Sequence, residues 1–572
     1  MAGVPNPSRR AIAVLTALTL LVLTGCAGGT AAPTRSPSAG ATTTAPDDPA
    51  ARAARLAGTL ADEDLVGQIL MPYAYGSSAT AVSAGSAAGN RKLAGVDTPA
   101  EMIAKYRLGG LILVGFSADD PTGKNQQTSN VDNPKQVRAL TTGLQRAAAG
   151  LAAGKGEAPL LIGTDQEYGV VTRIRSGVTA LPSAMASGAA GQPALTEGAW
   201  RAAGTELAAL GVNLDFAPVA DVAAANSAVI GSRSYGADAK ATAAQVAAAV
   251  RGLEGAGVAA TLKHFPGHGH TAADSHEALP VLTQTRSALD AGDLPPFAAG
   301  IDAGASMVMS GHLDVRAVDP GTPATFSRKV LTDVLRGELG FRGVVVTDGM
   351  NMAPAMKWPA GEAAVRAVNA GNDLLLMPPD VKGAYEGLLA ALRGGELPRP
   401  RLVEAVTRVL TLKLRLADQR PPAMSTLNSA GHRQAAARLA AAAVTQLRGA
   451  CGQPAVRGRV TVTASAGRDS TRALLTGALR AAGATVVPAG GTTVHLVGYG
   501  DTAKDLNPAA AVTVAMDTPA ILAAARSKTL LATYSSSPAS MTALAAVLTG
   551  KAPAPGRAPV AVPGLPPTAC AG

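Results

Sequence analysis

The stretch FRGVVVTDG, residues 341–349, carries the pattern that sets the fold. Three valines follow one another, and the chain then turns polar at Thr347-Asp348-Gly349. An apolar run without polar alternation suits a strand buried on both faces, as in a parallel sheet covered by helices. The same plan recurs in LVGQILMPYA from Leu65, LGGLILVGF from Leu108, APLLIGTDQE from Ala158 and GVNLDFAPV from Gly211. It recurs again in GVAATLKHF from Gly257, ASMVMSGHL from Ala305 and NDLLLMPPD from Asn372. Polar or glycine-rich loops and Ala-rich helical stretches separate the eight runs. Eight such units between about Leu56 and Leu416 predict an α/β fold, a (β/α)8 TIM barrel. A Rossmann sheet is disfavoured, because no glycine-rich fingerprint follows the first run.

Ionisable residues fall where these strands would end. Asp165 and Glu167 close the third run, and Asp215 lies within the fourth. Lys263 and His264 close the fifth, His312 the sixth and Asp348 the seventh. In a barrel the C-terminal strand ends share one rim, where sites are built. These groups therefore predict one pocket.

Outside the barrel the chain changes character. Arg9 and Arg10 precede the apolar run AIAVLTALTLLVL, residues 11–23, which is shorter than the roughly 20 residues that span a bilayer. LTGC follows, a lipobox-like end with Cys26 as the lipidated residue. The expected organisation is a lipoprotein signal peptide at 1–25, a disordered tether at 26–52, the barrel at 53–420 and a helical connector at 421–450. A smaller α/β sandwich domain follows at 451–572. The expected location is the outer face of the cytoplasmic membrane, through a lipid anchor. The remaining cysteines, Cys451 and Cys570, lie at the two ends of the last region, and export permits a disulfide between them. The net charge of +10 is spread along the chain without a basic stripe or interleaved aromatics. It predicts solubility and attraction to anionic surfaces, not nucleic-acid binding. The chain is expected to be a monomer.

The segment KHFPGHGHTAADSH, residues 263–276, holds four of the seven histidines. Zinc would want three or four close-set ligands, but glycines and a proline surround His268 and His270, and no HExxH helix is present. Acid chemistry fits better, so no metal is expected. Asp274 and His276 are two residues apart, close enough on a loop for the carboxylate to bond one imidazole nitrogen. The other nitrogen is then placed to protonate a leaving group. With Asp348 across the rim, this is the layout of a retaining glycosidase in which a histidine replaces one carboxylate.

Segment 263–276, with Thr261-Leu262 ahead and EALP behind, resembles the signature of bacterial β-N-acetylhexosaminidases of glycoside hydrolase family 3. The similarity continues, in order, through GTDQE at 163–167, TALP at 179–182, NLDFAPVADV from Asn213 and VIGSRSYG from Val229. It extends through MSGHLD from Met309, GFRGVVVTDGM at 340–350 and AGNDLLLMP from Ala370. The resemblance implies Asp348 as nucleophile, His276 as acid/base and Asp274 as its partner. It implies that Asp165, Arg173, Arg233, Lys263 and His264 contact the sugar, and that no cofactor is used. It further implies a terminal β-linked N-acetylglucosamine as substrate, and export points to cell-wall glycans or muropeptides. Two departures stand out. Glu167 is followed by Tyr168-Gly169-Val170 where the family has two glycines and an arginine. Asp348 is followed by Gly349 where a second aspartate is common. Two alternatives are carried forward: phosphorolysis, since a histidine repels an incoming phosphate less than a glutamate would, and a non-catalytic, lipid-anchored carbohydrate-binding protein.

Overall fold

The structure is a computed structural model. It describes residues 48–115, 128, 130–155, 157–224, 229–271, 275 and 277–570. Cys26, the signal and most of the tether lie outside the described residues, as do Asp274 and His276. No helix among the described residues is long and apolar enough to cross a membrane.

All eight apolar runs contain a strand. They are β1 Leu70–Met71, β2 Gly110–Leu113, β3 Leu161–Thr164, β4 Leu214–Asp215, β5 Ala259–Phe265, β6 Met307–Ser310, β7 Val344–Thr347 and β8 Leu375–Leu376. Every neighbouring pair is parallel. Within β7 the side chains alternate between two apolar layers. Val344 and Val346 face an inner cluster with Met71, Ile112, Leu161, Leu214 and Met307, whereas Val345 joins the layer between strands and helices. That is why the run needs no polar residue. Leu412 and Leu416, from helix Arg399–Ala417, pack against the inner cluster.

The expected closed barrel needs correction. β2 to β7 form one six-stranded ladder, while β1 and β8 pair with each other in a separate two-stranded piece. Among the described residues, the single bridges Tyr73↔Ile112 and Val346↔Leu374 join the pieces, so the barrel-like sheet is incompletely closed. The cause lies in the sequence. Leu65 and Val66 of the first run belong to helix Asp62–Gln68, whose first turn carries Asp62, Glu63 and Asp64 at the positive end of the helix dipole. Pro72 then stops β1, and Pro378-Pro379 follow β8; proline has no N–H for a ladder.

The second domain is a six-stranded sheet. Its strands are β9 Thr445–Arg448, β10 Arg459–Ala464, β11 Thr485–Val486, β12 Thr492–Val497, β13 Val512–Ala515 and β14 Thr529–Ala532, in the order β9-β14-β13-β12-β10-β11. Only β9 runs antiparallel to its neighbour. β9 lies within the stretch expected to be connector; only Ala430–Ala443 of that stretch is a long helix. One face of the sheet packs under helices Asp469–Ala481 and Pro538–Leu548. On the other face, Val497, Leu530 and Ala532 meet Met185, Ala186 and Ala189 of helix Ala184–Ala190, which belongs to the barrel portion. A disulfide joins Cys451 to Cys570, with the Cα atoms 5.4 Å apart.

Candidate active site

Six residues named from the sequence, Asp165, Glu167, Arg173, Arg233, Lys263 and His264, come together through one buried network. Lys263, near the end of β5, donates to Asp165 at 2.8 Å and to Glu167 at 2.7 Å. Arg233 grips Glu167 with two parallel bonds, Nε to Oε2 at 2.7 Å and Nη2 to Oε1 at 2.9 Å. Arg173 reaches Asp165 at 3.4 Å. Burial alone would raise the Glu167 pKa, but Arg233 and Lys263 overcome it and hold the carboxyl at about 2. Burial likewise opposes the Lys263 charge, and Asp165 and Glu167 reverse that, so its pKa is raised. Lys263 and Arg233 are therefore fixed cationic donors.

A short hairpin delivers Arg173. Strands Gln166–Tyr168 and Val171–Thr172 pair antiparallel, with Tyr168 at φ 65° and Gly169 at φ 71° in the turn. The Gln166 side chain accepts from the backbone of Arg173 and Ile174 and donates to the Ile174 carbonyl, closing the loop back toward Asp165. Tyr168 is buried, its ring edge-on to Trp200 at 5.7 Å. The departure from two glycines thus adds a core contact.

His264 owes its orientation to Asp221, a buried carboxylate that the sequence reading did not single out. Asp221 accepts from His264 Nδ1 at 2.7 Å and from the backbone N–H of His264 and His268 at 3.0 and 2.7 Å. Burial works against that charge, yet His264 and these bonds hold the Asp221 pKa below the usual range. Arg233 Nη2 lies 3.4 Å from His264 Nε2 and can only donate. The Asp221 contact thus fixes the Nδ1 edge of the ring and leaves Nε2 toward Arg233. The signal for Asp221 was its place just past β4 within NLDFAPVADV, but Asp215 lies in the strand itself and drew attention first. Asp215 is fully buried and accepts from the Gln166 N–H at 2.9 Å; burial pushes its pKa well above the carboxylate range. It is a buried core carboxyl whose charged form burial disfavours.

Asp348 follows β7, its N–H bonded to the Ser310 carbonyl at 3.0 Å, and its Oδ1 accepts from Gly349 N–H at 2.7 Å. His312 is a support for this turn: Nε2 lies 3.0 Å from the Gly349 carbonyl and Nδ1 2.9 Å from Thr325 Oγ1. His268 is buried with Nδ1 2.8 Å from Thr271 Oγ1 and Nε2 3.1 Å from Ser275 Oγ. Burial and the neighbouring His264 lower its pKa to about 4, so it is neutral near pH 7. His270 turns the other way, to the buried Asp293 at 2.8 Å. Among the described residues no three His, Cys, Asp or Glu side chains converge on a metal position. The geometry of the Asp274–His276 pair lies outside the described residues.

The second domain reaches this rim. Asp517 accepts a short hydrogen bond from Ser232, next to Arg233, and the Tyr534 carbonyl accepts from Ser183 at 2.6 Å. A cavity of about 450 Å³ lies between Ala223, Ala224 and Gly231 on the barrel side and Tyr499, Asp501 and Asp517 on the other.

Comparison with known proteins bears on the same residues. Residues 63–412 match the glycosyl hydrolase family 3 N terminal domain. Beta-hexosaminidase A of Pseudoalteromonas piscicida is 36% identical over 380 residues; the match covers 61% of this chain and 60% of that protein. A glycoside hydrolase family 3 beta-N-acetylglucosaminidase structure from Paenibacillus sp. FPU-7 is 32% identical, covering 90% of this chain and all of that one, with a TM-score of 0.75. A beta-glucoside phosphorylase structure covers 90% of this chain and 96% of its own at 21% identity and a TM-score of 0.75, which speaks to the fold alone. The buried network of carboxylates, lysine and arginines and the carboxylate that follows β7 thus sit inside a sequence match spanning residues 63–412, and the chain belongs to glycosyl hydrolase family 3.

Proposed function

We propose that this protein is a retaining β-N-acetylglucosaminidase that releases terminal N-acetylglucosamine from exported cell-wall fragments. The observation that carries the reading is the network of Lys263, Arg233, Arg173, Asp165 and Glu167, with Asp348 following a strand of the same parallel sheet, in a chain of this family. Lys263, Arg173, Arg233 and His264 hold sugar hydroxyls, with Asp165 accepting from one. The Asp348 carboxylate attacks the anomeric carbon as the glycosidic C–O bond breaks, and the His276 imidazolium gives its proton to the departing oxygen. His276, held by Asp274, then takes a proton from water as the water oxygen displaces Asp348. Two inversions at one carbon retain the anomer. The mature chain is held to the membrane through lipid on Cys26.

The aryl N-acetyl-β-glucosaminide and the matching β-glucoside, assayed with and without phosphate, test the substrate and the acceptor. The expected result is preference for the N-acetyl sugar and free sugar as product. Preference for the glucoside would overturn the assignment, and sugar 1-phosphate would make the enzyme a phosphorylase. Binding without turnover would favour the non-catalytic reading. Asp348→Ala is expected to abolish turnover. His276→Ala is expected to lose about 100- to 10,000-fold with poor leaving groups and far less with dinitrophenolate. For location, Cys26→Ala should move the protein out of the membrane fraction.

A further inference from the structure

Helix Arg399–Ala417 covers the barrel-like sheet at the end where its strands begin, opposite the rim. Leu412 joins the inner cluster, and Lys413 donates to Gln68, just ahead of β1, at 2.7 Å. Helix Pro49–Thr59 packs on this helix. Its first turns are tied to the same end, where Arg52 reaches Glu157, shortly ahead of β3, at 3.1 Å. The chain that leads back to Cys26 therefore departs from the face opposite the rim. Roughly 20 residues lie between Cys26 and Asp48, and they reach at most about 70 Å even when fully extended.

A cavity of about 370 Å³ opens at this end, and its lining includes Arg138, Thr141, Val212, Gly257, Leu416 and Arg420. Val212 and Gly257 stand just ahead of β4 and β5, and Leu416 is in the last turn of the covering helix. Arg138 and Arg420 enter from separate elements, and neither forms an ion pair with a described residue. Arg146 and Arg415, each next in sequence to a residue of the wall, are exposed. The described carboxylates of this region are mostly occupied. Glu157 is held by Arg52, and Glu254 turns inward to accept from the N–H groups of Ala260 and Ser306, both at 2.9 Å. Asp418 is exposed and offsets part of the arginine charge. The face is therefore cationic around a concavity, which attracts anions.

We propose that this face docks on the anionic phospholipid headgroups of the membrane that carries the anchor, with Arg138 and Arg420 on the phosphates, so that the catalytic rim is turned outward. The inference rests on the reading of Cys26 as a lipid anchor. Guanidinium groups match phosphate oxygens with paired N–H donors, and the tether keeps the local lipid concentration high. Each basic residue near an anionic bilayer strengthens attachment roughly fivefold, so loss of both arginines should lower the docked-to-free ratio roughly 10- to 30-fold.

The lipidated chain, reconstituted in vesicles, tests it. Cys451 and Cys570 are bonded to each other, so one introduced cysteine takes a dye. Ala417→Cys puts the dye on the proposed docking face, and Ala317→Cys, exposed past β6, puts it on the rim side. The readout is energy transfer to an acceptor in the bilayer, in phosphatidylcholine vesicles with and without phosphatidylglycerol. With phosphatidylglycerol, transfer from position 417 is expected to exceed that from position 317, and the excess should fade as sodium chloride is raised. Arg138→Gln with Arg420→Gln is expected to lower the docked-to-free ratio by the stated factor. The charge-matched pair Arg480→Gln with Arg526→Gln, exposed on the second domain, is expected to leave it unchanged. Arg420→Gln alone carries the test if the pair lowers the thermal midpoint. Equal transfer from both dye positions, or an equal loss in both arginine pairs, would overturn the proposal. Release by inorganic phosphate beyond that by sodium chloride at matched ionic strength would also overturn it, making the cavity a small-anion site. Docked protein is expected to turn over a soluble aryl N-acetyl-β-glucosaminide at the undocked rate; inhibition on docking would put the rim against the membrane instead. If mass spectrometry found no lipid on Cys26, the anchor reading would fail and take the inference with it, whereas a lipidated chain without the excess would sink the docking alone.

Discussion

At Glu167 a buried carboxylate meets a bidentate guanidinium and an ammonium. Removing one partner of a buried ion pair strands the other, at about 3–5 kcal/mol. Glu167→Gln should therefore destabilise the protein by about 3 kcal/mol near pH 7, read as a shift in urea midpoint, and should raise KM because Arg233 and Lys263 lose their anchor. The pH dependence has a definite sign. The folded pKa, about 2, lies below the ordinary value of 4.5. The stabilisation is therefore complete above about pH 4.5 and is lost as pH falls toward 2. The gap between wild type and Glu167→Gln should shrink between pH 5 and pH 3; a constant gap would mean that the carboxylate charge is not what stabilises the site. Asp221 makes a separate prediction. Asp221→Asn keeps an acceptor for the backbone N–H groups of His264 and His268 but turns an amide N–H2 toward His264 Nδ1, so kcat/KM should fall and the thermal midpoint should drop with it. Glu167 was legible in the sequence as the polar end of a strand. The importance of Asp221 was not, because its partners arrive from a segment more than forty residues later.

Helix Arg399–Ala417 carries an element-scale anomaly. Lys413 lies on its buried face, 2% exposed, with Gln68 Oε1 at 2.7 Å as its hydrogen-bond acceptor. Burial lowers its pKa to about 7 from the ordinary 10.5. A lysine with a depressed pKa binds fewer protons folded than unfolded, so its burial costs most below about pH 7, and the cost fades as pH rises toward 10.5. Lys413→Met should therefore gain stability relative to wild type as pH falls from 10 to 7. The full swing is on the order of 4 kcal/mol, offset by about 1–3 kcal/mol because Gln68 loses its donor. Thermal midpoints of the two proteins across that range give the slope, and a difference independent of pH would contradict it. The polar residue on an otherwise apolar face is visible in LVEAVTRVLTLKLRLA, residues 402–417, but not the depth to which the helix packs against the barrel-like sheet.

At the scale of the molecule, the second domain is completed by the first. Its sheet has helices over one face, and the barrel's helix Ala184–Ala190 contributes to the core on the other. The Cys451–Cys570 disulfide closes a loop with a sequence separation of 119. Replacing both cysteines by serine should cost about 2–5 kcal/mol. Because Ser232–Asp517 and Ser183–Tyr534 link this domain to the rim, the variant should also show a raised KM at temperatures where the barrel is still folded. Unfolding followed by domain-specific proteolysis, alongside KM, checks both parts; lowered stability with an unaltered KM would separate the domain from the site.

Sequence alone determined the number and order of the eight strands of the barrel-like sheet, because burial on both faces demands unbroken apolar runs and leaves polar residues only at their ends. It also placed Lys263, His264, Asp165 and Asp348 on one rim, since parallel strands all end on the same side. Tertiary structure decided what these groups do to one another. Asp215 and Asp221 are both aspartates at the fourth strand, yet burial pushes the pKa of one up, while His264 and two N–H groups hold that of the other down. It also decided that the barrel-like sheet closes incompletely, because Pro72 follows β1 and Met377, at φ 51°, follows β8, leaving each two residues long. Charge state and closure depend on neighbours brought in from distant parts of the chain, and a local pattern does not encode the distance to them.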